Sequence, residues 1–134
     1  MRSIIICCLL LAATPTVASD VGDQLTRVAQ VYGLDPITVK AVAEVESGTR
    51  CGAKNGASQG VMQVQRGASK EVGVSWPFKT CGDEIEAGVR YLKLAIDMVG
   101  DNCIAYTLYN KGLSAPKHCS AYGRRVIKFK KEGE

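Results

Sequence analysis

The sequence predicts a single, mainly α domain, and three observations lead to this prediction. Apolar residues recur at helical spacing along most of the chain after residue 19. Asp, Asn, Pro and Gly stand where these periodic segments begin and end, as they commonly do at helix termini. We find no internal repeat, linker or low-complexity tract, so the 134-residue chain is expected to hold one folded unit.

Residues 1–19 have the features of an export signal. Arg2 supplies a positive charge, an apolar run follows, and small residues precede Asp20. The apolar run is shorter than the ~20 residues that a membrane-spanning helix needs. We therefore predict cleavage near Ser19 and a periplasmic or secreted domain at residues 20–134. An uncleaved anchor is the alternative.

Two helices are predicted next. The first presents an apolar face at i, i+3, i+4 and i+7, which Gly33 ends and which consists of Leu25, Val28, Ala29 and Tyr32. The second begins with Asp35 as N-cap and Pro36 at the first helical position. It is expected to end at Ser47-Gly48. Residues 50–65 are rich in glycine and lack a helical period, so they are predicted as loop or short strand.

Four further helices are expected in the second half of the chain. A short one covers Ala68 to Val72. Asp83 is predicted to cap the longest one, which ends at Gly100 and buries Ile85, Val89, Leu92, Ile96 and Val99. Asn102 caps the next, which runs to Tyr109. The last covers about Ser120 to Lys130, with three residues inward: Tyr122, Val126 and Phe129.

Four cysteines remain after the export signal, and an even count in an exported chain suggests two disulfides. Sequence alone allows three connectivities. We favour Cys51–Cys81 and Cys103–Cys119, because each closes a moderate loop around a proposed site loop. A zinc site is disfavoured, since there is no CxxC pair and His118 is the only histidine. We expect neither a metal nor a cofactor.

The formal net charge is +4, and basic residues concentrate near the C-terminus: Arg124, Arg125, Lys128, Lys130 and Lys131. Such a cluster can bind nucleic acid. An exported protein meets little nucleic acid, so we expect none as a partner and interpret the cluster as a solvated helix face. The same charges would attract an anionic envelope polymer.

Glu46 is the candidate acid of the second helix. At about 100° per residue it shares a stripe with Val39 and Val42, whereas Glu44 aligns with Lys40 in an ordinary solvent-facing pair. Burial beside apolar groups disfavours the charged carboxylate, and so does the negative end of the helix dipole. We therefore expect a raised pKa for Glu46, as protonation of a glycosidic oxygen requires.

Several motifs surround this acid in a fixed order. Glu46-Ser47 comes first, residues 57–63 (Ala-Ser-Gln-Gly-Val-Met-Gln) follow, and residues 109–112 (Tyr-Asn-Lys-Gly) come later. The long helix carries four matches to the pattern Asn-Ile-x-x-Gly-x-x-Tyr-Leu, namely Ile85, Gly88, Tyr91 and Leu92. In order and spacing the chain resembles the soluble lytic transglycosylase (SLT) family from about Leu34 to Gly112, with a weaker match at residues 122–126.

The resemblance implies a lysozyme-like, mainly α fold and cleavage of the MurNAc–GlcNAc bond of peptidoglycan without water. It implies that Glu46 is the single catalytic acid and base. Substrate-binding roles are expected for Ser47, Gly60, Met62, Gln63, Tyr109 and Asn110. Of these, Gly60 would let the backbone approach the sugar, and Tyr109 would orient the Glu46 carboxyl.

The chain departs from the family pattern at the rim of the expected cleft. Ala57-Ser58 stands where the family often has Gly-Ala, and Gln65 where a Met is common. The chain looks most like small exported members that accompany secretion, pilus or conjugation machines, and we expect a monomer. The alternatives are a hydrolytic muramidase of the goose-lysozyme type and a non-catalytic, peptidoglycan-binding assembly factor.

Overall fold

The computed structural model describes residues 20–134, which contain six helices and a small three-stranded sheet. The helices are α1 (Val21–Val31), α2 (Pro36–Ser47), α3 (Arg66–Glu71), α4 (Cys81–Val99), α5 (Cys103–Lys111) and α6 (Ala121–Gly133). The strands are β1 (Lys54–Asn55), β2 (Ser58–Gln59) and β3 (Val64–Gln65). The prediction of a mainly α domain is confirmed. The predicted export signal at residues 1–19 lies outside the described residues.

Helix α2, which carries Glu46, packs against both α1 and α6. It begins as predicted: the Asp35 carboxylate accepts a hydrogen bond from the Ile37 N–H at 2.9 Å, and Pro36 occupies the first position. It ends at Gly48, whose φ of 63° lies in the left-handed region. That conformation stops the helix cleanly after Ser47 and so fixes the position of Glu46 in its last turn.

Helix α4 begins three residues earlier than predicted, and Asp83 is not its N-cap. Thr80 is the N-cap, and its hydroxyl accepts a hydrogen bond from the Asp83 N–H at 3.1 Å. The Asp83 carboxylate accepts in return from the Thr80 N–H at 3.3 Å. This reciprocal capping box needs an acidic residue three positions after the cap, which is why Asp83 is present without being the cap itself.

The other helix boundaries lie close to their predicted positions. Asn102 caps α5 through hydrogen bonds from two backbone N–H groups, and Ser120 caps α6. Helix α3 begins at Arg66, two residues before the predicted start at Ala68, because it follows β3 without a break. Helix α6 continues to Gly133 instead of ending near Lys130.

One apolar core joins these helices, and α1, α2, α4 and α5 contribute most of it. Its fully buried members include Leu25, Ala29, Val39, Val42, Ala43, Val61, Met62, Ile85, Ala87, Val89, Leu92, Ala95, Ala105, Tyr106, Leu108 and Val126. The predicted inward faces are therefore largely confirmed. Val28, Tyr32, Ile96, Val99, Tyr122 and Phe129 are partly buried at its edge.

The glycine-rich segment forms a short antiparallel sheet in which β2 pairs with both β1 and β3. Cys51, just before this sheet, is bonded to Cys81 at the start of α4, and Cys103 is bonded to Cys119. These are the pairs that the sequence analysis favours. Among residues 20–134, no helix is both long and apolar enough to cross a bilayer.

Candidate active site

Glu46 lies in the last turn of α2, half-buried, while Glu44 on the same helix is exposed. This difference confirms the helical phase derived from the sequence. Burial raises the pKa of the Glu46 carboxyl above its usual value of 4.5. A hydrogen bond from Tyr122 and the positive charge of Arg125 oppose this rise without cancelling it. The carboxyl is thus biased toward its protonated form.

Tyr122, near the start of α6, is the direct partner of this carboxyl. Its hydroxyl donates a hydrogen bond to Glu46 Oε1 at 2.6 Å. Burial, followed by the nearby negative charge of Glu46, raises the pKa of Tyr122 well above 10.0. The phenol therefore remains a donor throughout the ordinary pH range and holds one carboxyl oxygen in place.

The prediction that Tyr109 orients Glu46 is wrong. The Tyr109 hydroxyl donates instead to the carbonyl oxygen of Met62 at 2.6 Å, and its ring packs at a tilt against Tyr91, with 5.7 Å between ring centroids. Its side chain is buried, which raises its pKa well above 10.0, with Glu46 as the next contributor. Tyr109 thus lines the site and supports the segment that carries Gln63.

Two further predicted substrate contacts are corrected by their burial. Met62 is fully buried, and a β-carbon on Gly88 would lie 2.5 Å from it, so this side chain belongs to the core. Gly60 is also buried, with φ 87°, and a β-carbon there would lie 2.6 Å from the Glu84 side chain. Glycine is therefore required at position 60 because the Glu84 side chain packs against it. The sequence analysis expected a sugar to make this close approach.

Ser47 is buried and joins the end of α2 to the sheet segment. Its hydroxyl donates to the Val61 carbonyl at 2.6 Å and accepts from the Arg50 N–H at 3.0 Å. Because its hydroxyl both donates and accepts a hydrogen bond inside the protein, Ser47 positions the neighbouring Glu46. The expected direct contact with substrate does not fit this geometry.

Gln63 has an unusual backbone and an unusual side chain. Its φ of 49° lies in the left-handed region, which a non-glycine residue adopts at a cost. Its side-chain Nε2 donates to the carbonyls of Ala53 and Gly60, at 3.0 and 2.9 Å. Its Oε1 is a buried atom with no hydrogen-bond partner among the described residues. The segment is thus held in one particular conformation beside the acid.

Two cavities meet at Glu46 and Gln63, and together they form a cleft. One, of about 320 Å³, is lined among others by Ser58, Gln65, Tyr109 and Asn110. The other, of about 500 Å³, lies against the segment from Ser47 to Asn55. Asn110 is exposed at the rim, as a binding residue would be. In both linings Glu46 is the only carboxylate.

Glu84 is an important residue that the sequence analysis missed. It is buried on α4, and its carboxylate accepts hydrogen bonds from the N–H groups of Gly52, at 3.0 and 3.1 Å, and of Val61, at 3.0 Å. It thereby fixes both ends of the segment that carries the sheet. One feature of the sequence could have identified it: Glu84 directly precedes Ile85, at the position where the family pattern has asparagine.

Cys51 and Cys81 lie close to Glu84, a grouping that resembles a metal site. Their sulfur atoms are joined in a disulfide and are not available as thiolate ligands. His118 is exposed, and its ring Nδ1 lies 3.1 Å from the Pro116 carbonyl oxygen. Neither feature supports a metal centre.

Comparison with known proteins identifies a matching family and a similar structure. The family model described as Transglycosylase SLT domain matches residues 24–129. Comparison with curated proteins finds no match. The X-ray structure of an inactive mutant of lytic transglycosylase Slt from Pseudomonas aeruginosa is similar in fold, with a TM-score of 0.68 and 20% identity.

The similarity to the Pseudomonas aeruginosa structure covers 83% of this chain and 23% of that chain, so this chain spans about a quarter of its length. At such identity the likeness is one of fold. Together with the family match, it confirms the predicted mainly α, lysozyme-like architecture.

Proposed function

The chain belongs to the transglycosylase SLT domain family, a family of lytic transglycosylases, and we propose that it cleaves the MurNAc–GlcNAc β-1,4 bond of peptidoglycan and leaves a 1,6-anhydro-MurNAc end. The observation that carries this proposal is the state of Glu46. It is half-buried, burial favours its protonated form, and among residues 20–134 it is the only carboxylate in the two cavity linings.

In the first step, Glu46 donates its proton to the glycosidic oxygen as the C1–O bond breaks, and GlcNAc leaves with a free 4-hydroxyl. The acetamido oxygen of MurNAc stabilises C1 from the same sugar. General acid catalysis of this kind contributes about 10²–10⁴-fold to a rate. Tyr122 holds Oε1 of the carboxyl, which leaves the other oxygen, Oε2, to carry the proton.

In the second step, the carboxylate of Glu46 takes the proton of the C6 hydroxyl while that oxygen bonds to C1. The acid is thereby regenerated and no water is consumed. Glycosidases that use water normally have a second carboxylate to activate it or to form a covalent intermediate. The absence of a second carboxylate from the two cavity linings favours closure of the anhydro ring over hydrolysis.

The test is mass spectrometry of muropeptides released by the purified domain from isolated sacculi. The wild type is expected to release products lighter by one water than hydrolytic ones. Glu46→Gln is expected to lower the rate by at least about 100-fold. Glu44→Gln, a change of the exposed acid on the same helix, is the matched control and should leave the rate unaltered.

Three outcomes would contradict the proposal. Hydrated products would identify a hydrolytic muramidase. Unchanged cleavage by Glu46→Gln would exclude this residue as the acid, and binding of sacculi without any cleavage by the wild type would favour a wall-binding assembly factor.

The proposal includes export and a role in local opening of the cell wall for a secretion, pilus or conjugation machine. The two disulfides support an oxidising compartment such as the periplasm. The link to a machine rests on the resemblance to small exported members of the family. Loss of machine assembly in a strain that carries Glu46→Gln would test it, with Glu44→Gln as the control.

A further inference from the structure

The cleft carries an excess of positive charge around its single acid. The larger cavity is lined by Arg50 and Lys54, and the smaller one by Lys111. Apart from Glu46, every charged side chain in the two linings is thus a cation. An uncharged glycan would gain little from such a lining, whereas a substrate with carboxylates would be attracted to it.

Arg50 is held in place at the end of α2. Its Nε donates to the Ser47 carbonyl at 2.8 Å, and its backbone N–H donates to the Ser47 hydroxyl. The next residue, Cys51, is fixed to α4 by its disulfide. Within residues 20–134 the guanidinium makes no other hydrogen bond, so its remaining N–H donors are available at the wall of the larger cavity. A planar carboxylate can accept two of them.

Neither Arg50 nor Lys54 forms an ion pair within residues 20–134, where the four ion pairs all involve other residues. The basic groups at Arg90, Lys93 and Lys130 are by contrast paired with carboxylates. Lys54 is exposed on β1, next to Asn55 in the same lining. Two unpaired cations on one cavity wall are the arrangement that an anionic ligand requires.

We propose that Arg50 and Lys54 form a subsite for a carboxylate of the peptide that is attached to the glycan strand. This inference rests on the proposed function, because it assigns a preferred substrate to the same cleft. It makes the protein selective for strands that bear peptides with free carboxylates. Strands whose peptide carboxylates have been blocked bind more weakly.

The test measures binding of soluble glycan strands in the Glu46→Gln background, which keeps the strands intact and separates binding from catalysis. Native peptide-bearing strands are compared with strands whose peptide amines are acetylated and whose carboxylates are converted to amides. Arg50→Gln and Lys54→Gln are each expected to raise Kd for native strands about three- to tenfold. Neither should alter Kd for amidated strands. Arg50→Lys should restore part of the affinity.

Matched controls are Arg27→Gln and Lys128→Gln, which remove exposed cations that line neither cavity. They should leave both Kd values unchanged. Equal loss of affinity for native and amidated strands would overturn the proposal, and so would no loss with either cleft variant. These results would leave the proposed cleavage reaction untouched, since product mass is measured separately.

A third substrate identifies the source of the carboxylate. Strands stripped of peptide by an amidase keep a carboxylate on the lactyl group of MurNAc. If Arg50→Gln weakens their binding as much as it weakens that of native strands, the subsite binds the sugar's own acid and the peptide assignment is wrong. We expect at most a marginal effect on stripped strands.

Discussion

The proton on Glu46 is controlled by competing influences of its neighbours. Burial favours the neutral carboxyl, while the Tyr122 hydrogen bond and the Arg125 charge favour the carboxylate. A group that must first donate and then accept a proton benefits from such a balance, because neither form is strongly stabilised. This balance suits the two roles that the proposed mechanism assigns to Glu46.

This balance predicts the pH dependence of the reaction. The first step requires the protonated acid, so kcat/KM should fall about tenfold per pH unit once the pH exceeds the raised pKa of Glu46. Tyr122→Phe removes an interaction that lowers this pKa, so the falling limb should move to higher pH. Its rate should also fall, by about tenfold, because the carboxyl loses its anchor. A pH profile of both proteins measures this, and a limb that moves to lower pH would contradict it.

The same residue should influence stability. Because the pKa of Glu46 is raised on folding, the folded state binds this proton more tightly than the unfolded state does. Stability from this source is complete below the unfolded pKa, near 4.5, and is lost as the pH rises through the folded value. Glu46→Gln should therefore be about 1 kcal/mol more stable than the wild type at neutral pH. The difference should vanish near pH 4, as thermal unfolding at both pH values can show.

At this scale the sequence predicts the acid but not its partner. Helical phase is a local property, so it separates Glu46 from Glu44 correctly. The partner depends on how α6 crosses α2, which no spacing within the chain encodes. The sequence predicts that Tyr122 points inward and that Tyr109 binds the acid. In the structure the crossing of the helices brings Tyr122 to Glu46. The Tyr109 hydroxyl donates its hydrogen bond to the Met62 carbonyl instead.

At the scale of elements, the cleft depends on how the sheet segment is fastened to two helices. The backbone of Val61 is held on both sides, since its N–H donates to Glu84 of α4 and its carbonyl accepts from Ser47 of α2. Gly52, at the other end of the segment, donates to the same carboxylate. Glu84 thus fastens both ends of the segment that lines the cleft beside Glu46.

Glu84→Gln should loosen this attachment. The amide can accept at only one of the two oxygens, and its NH₂ group would face backbone donors. We expect a loss of about 2–3 kcal/mol in the free energy of unfolding, as for other buried hydrogen bonds to a charged group. KM should rise more than kcat falls, since the segment lines the cleft.

Urea unfolding and steady-state kinetics on soluble strands measure both effects. Glu71→Gln is the matched control, because Glu71 is an exposed glutamate on α3 without a hydrogen bond or ion pair among the described residues. Equal stability of Glu84→Gln and the wild type would contradict this role.

At the scale of the whole molecule, the fold was predictable because local sequence signals, namely apolar periodicity and the residues at helix termini, mark most of its elements. The periodic helices α1, α2, α5 and α6 were predicted near their true bounds. The segment between α2 and α3 was predicted correctly as loop or short strand, but its detailed conformation was not predicted, because it depends on distant groups. Gly60 is a clear case: it was assigned to the sugar, whereas the constraint comes from Glu84, 24 positions further along.

The two disulfides join different pairs of elements. Cys51–Cys81 spans 30 positions and joins the cleft wall to α4, while Cys103–Cys119 spans 16 and joins α5 to the approach to α6. Loops of these lengths give about 3–4 kcal/mol of stabilisation each through the entropy of the unfolded chain. For a domain of this size that is a large share of the total.

Replacing each cystine pair by two alanines should therefore destabilise the domain by about 3 kcal/mol in either case.

The two variants should differ in function. Removing Cys51–Cys81 frees the segment that carries Arg50, so binding of peptide-bearing strands should weaken even at low temperature, where the protein stays folded. Removing Cys103–Cys119 should leave the preference for native over amidated strands unchanged, because α5 and α6 contribute no residue to the larger cavity. Thermal unfolding measures the two stabilities. Equilibrium binding measures the affinities at about 10 °C, which is roughly the temperature of maximal stability for many domains. Equal affinities for the two variants would show that the first disulfide does not hold the anion subsite in place.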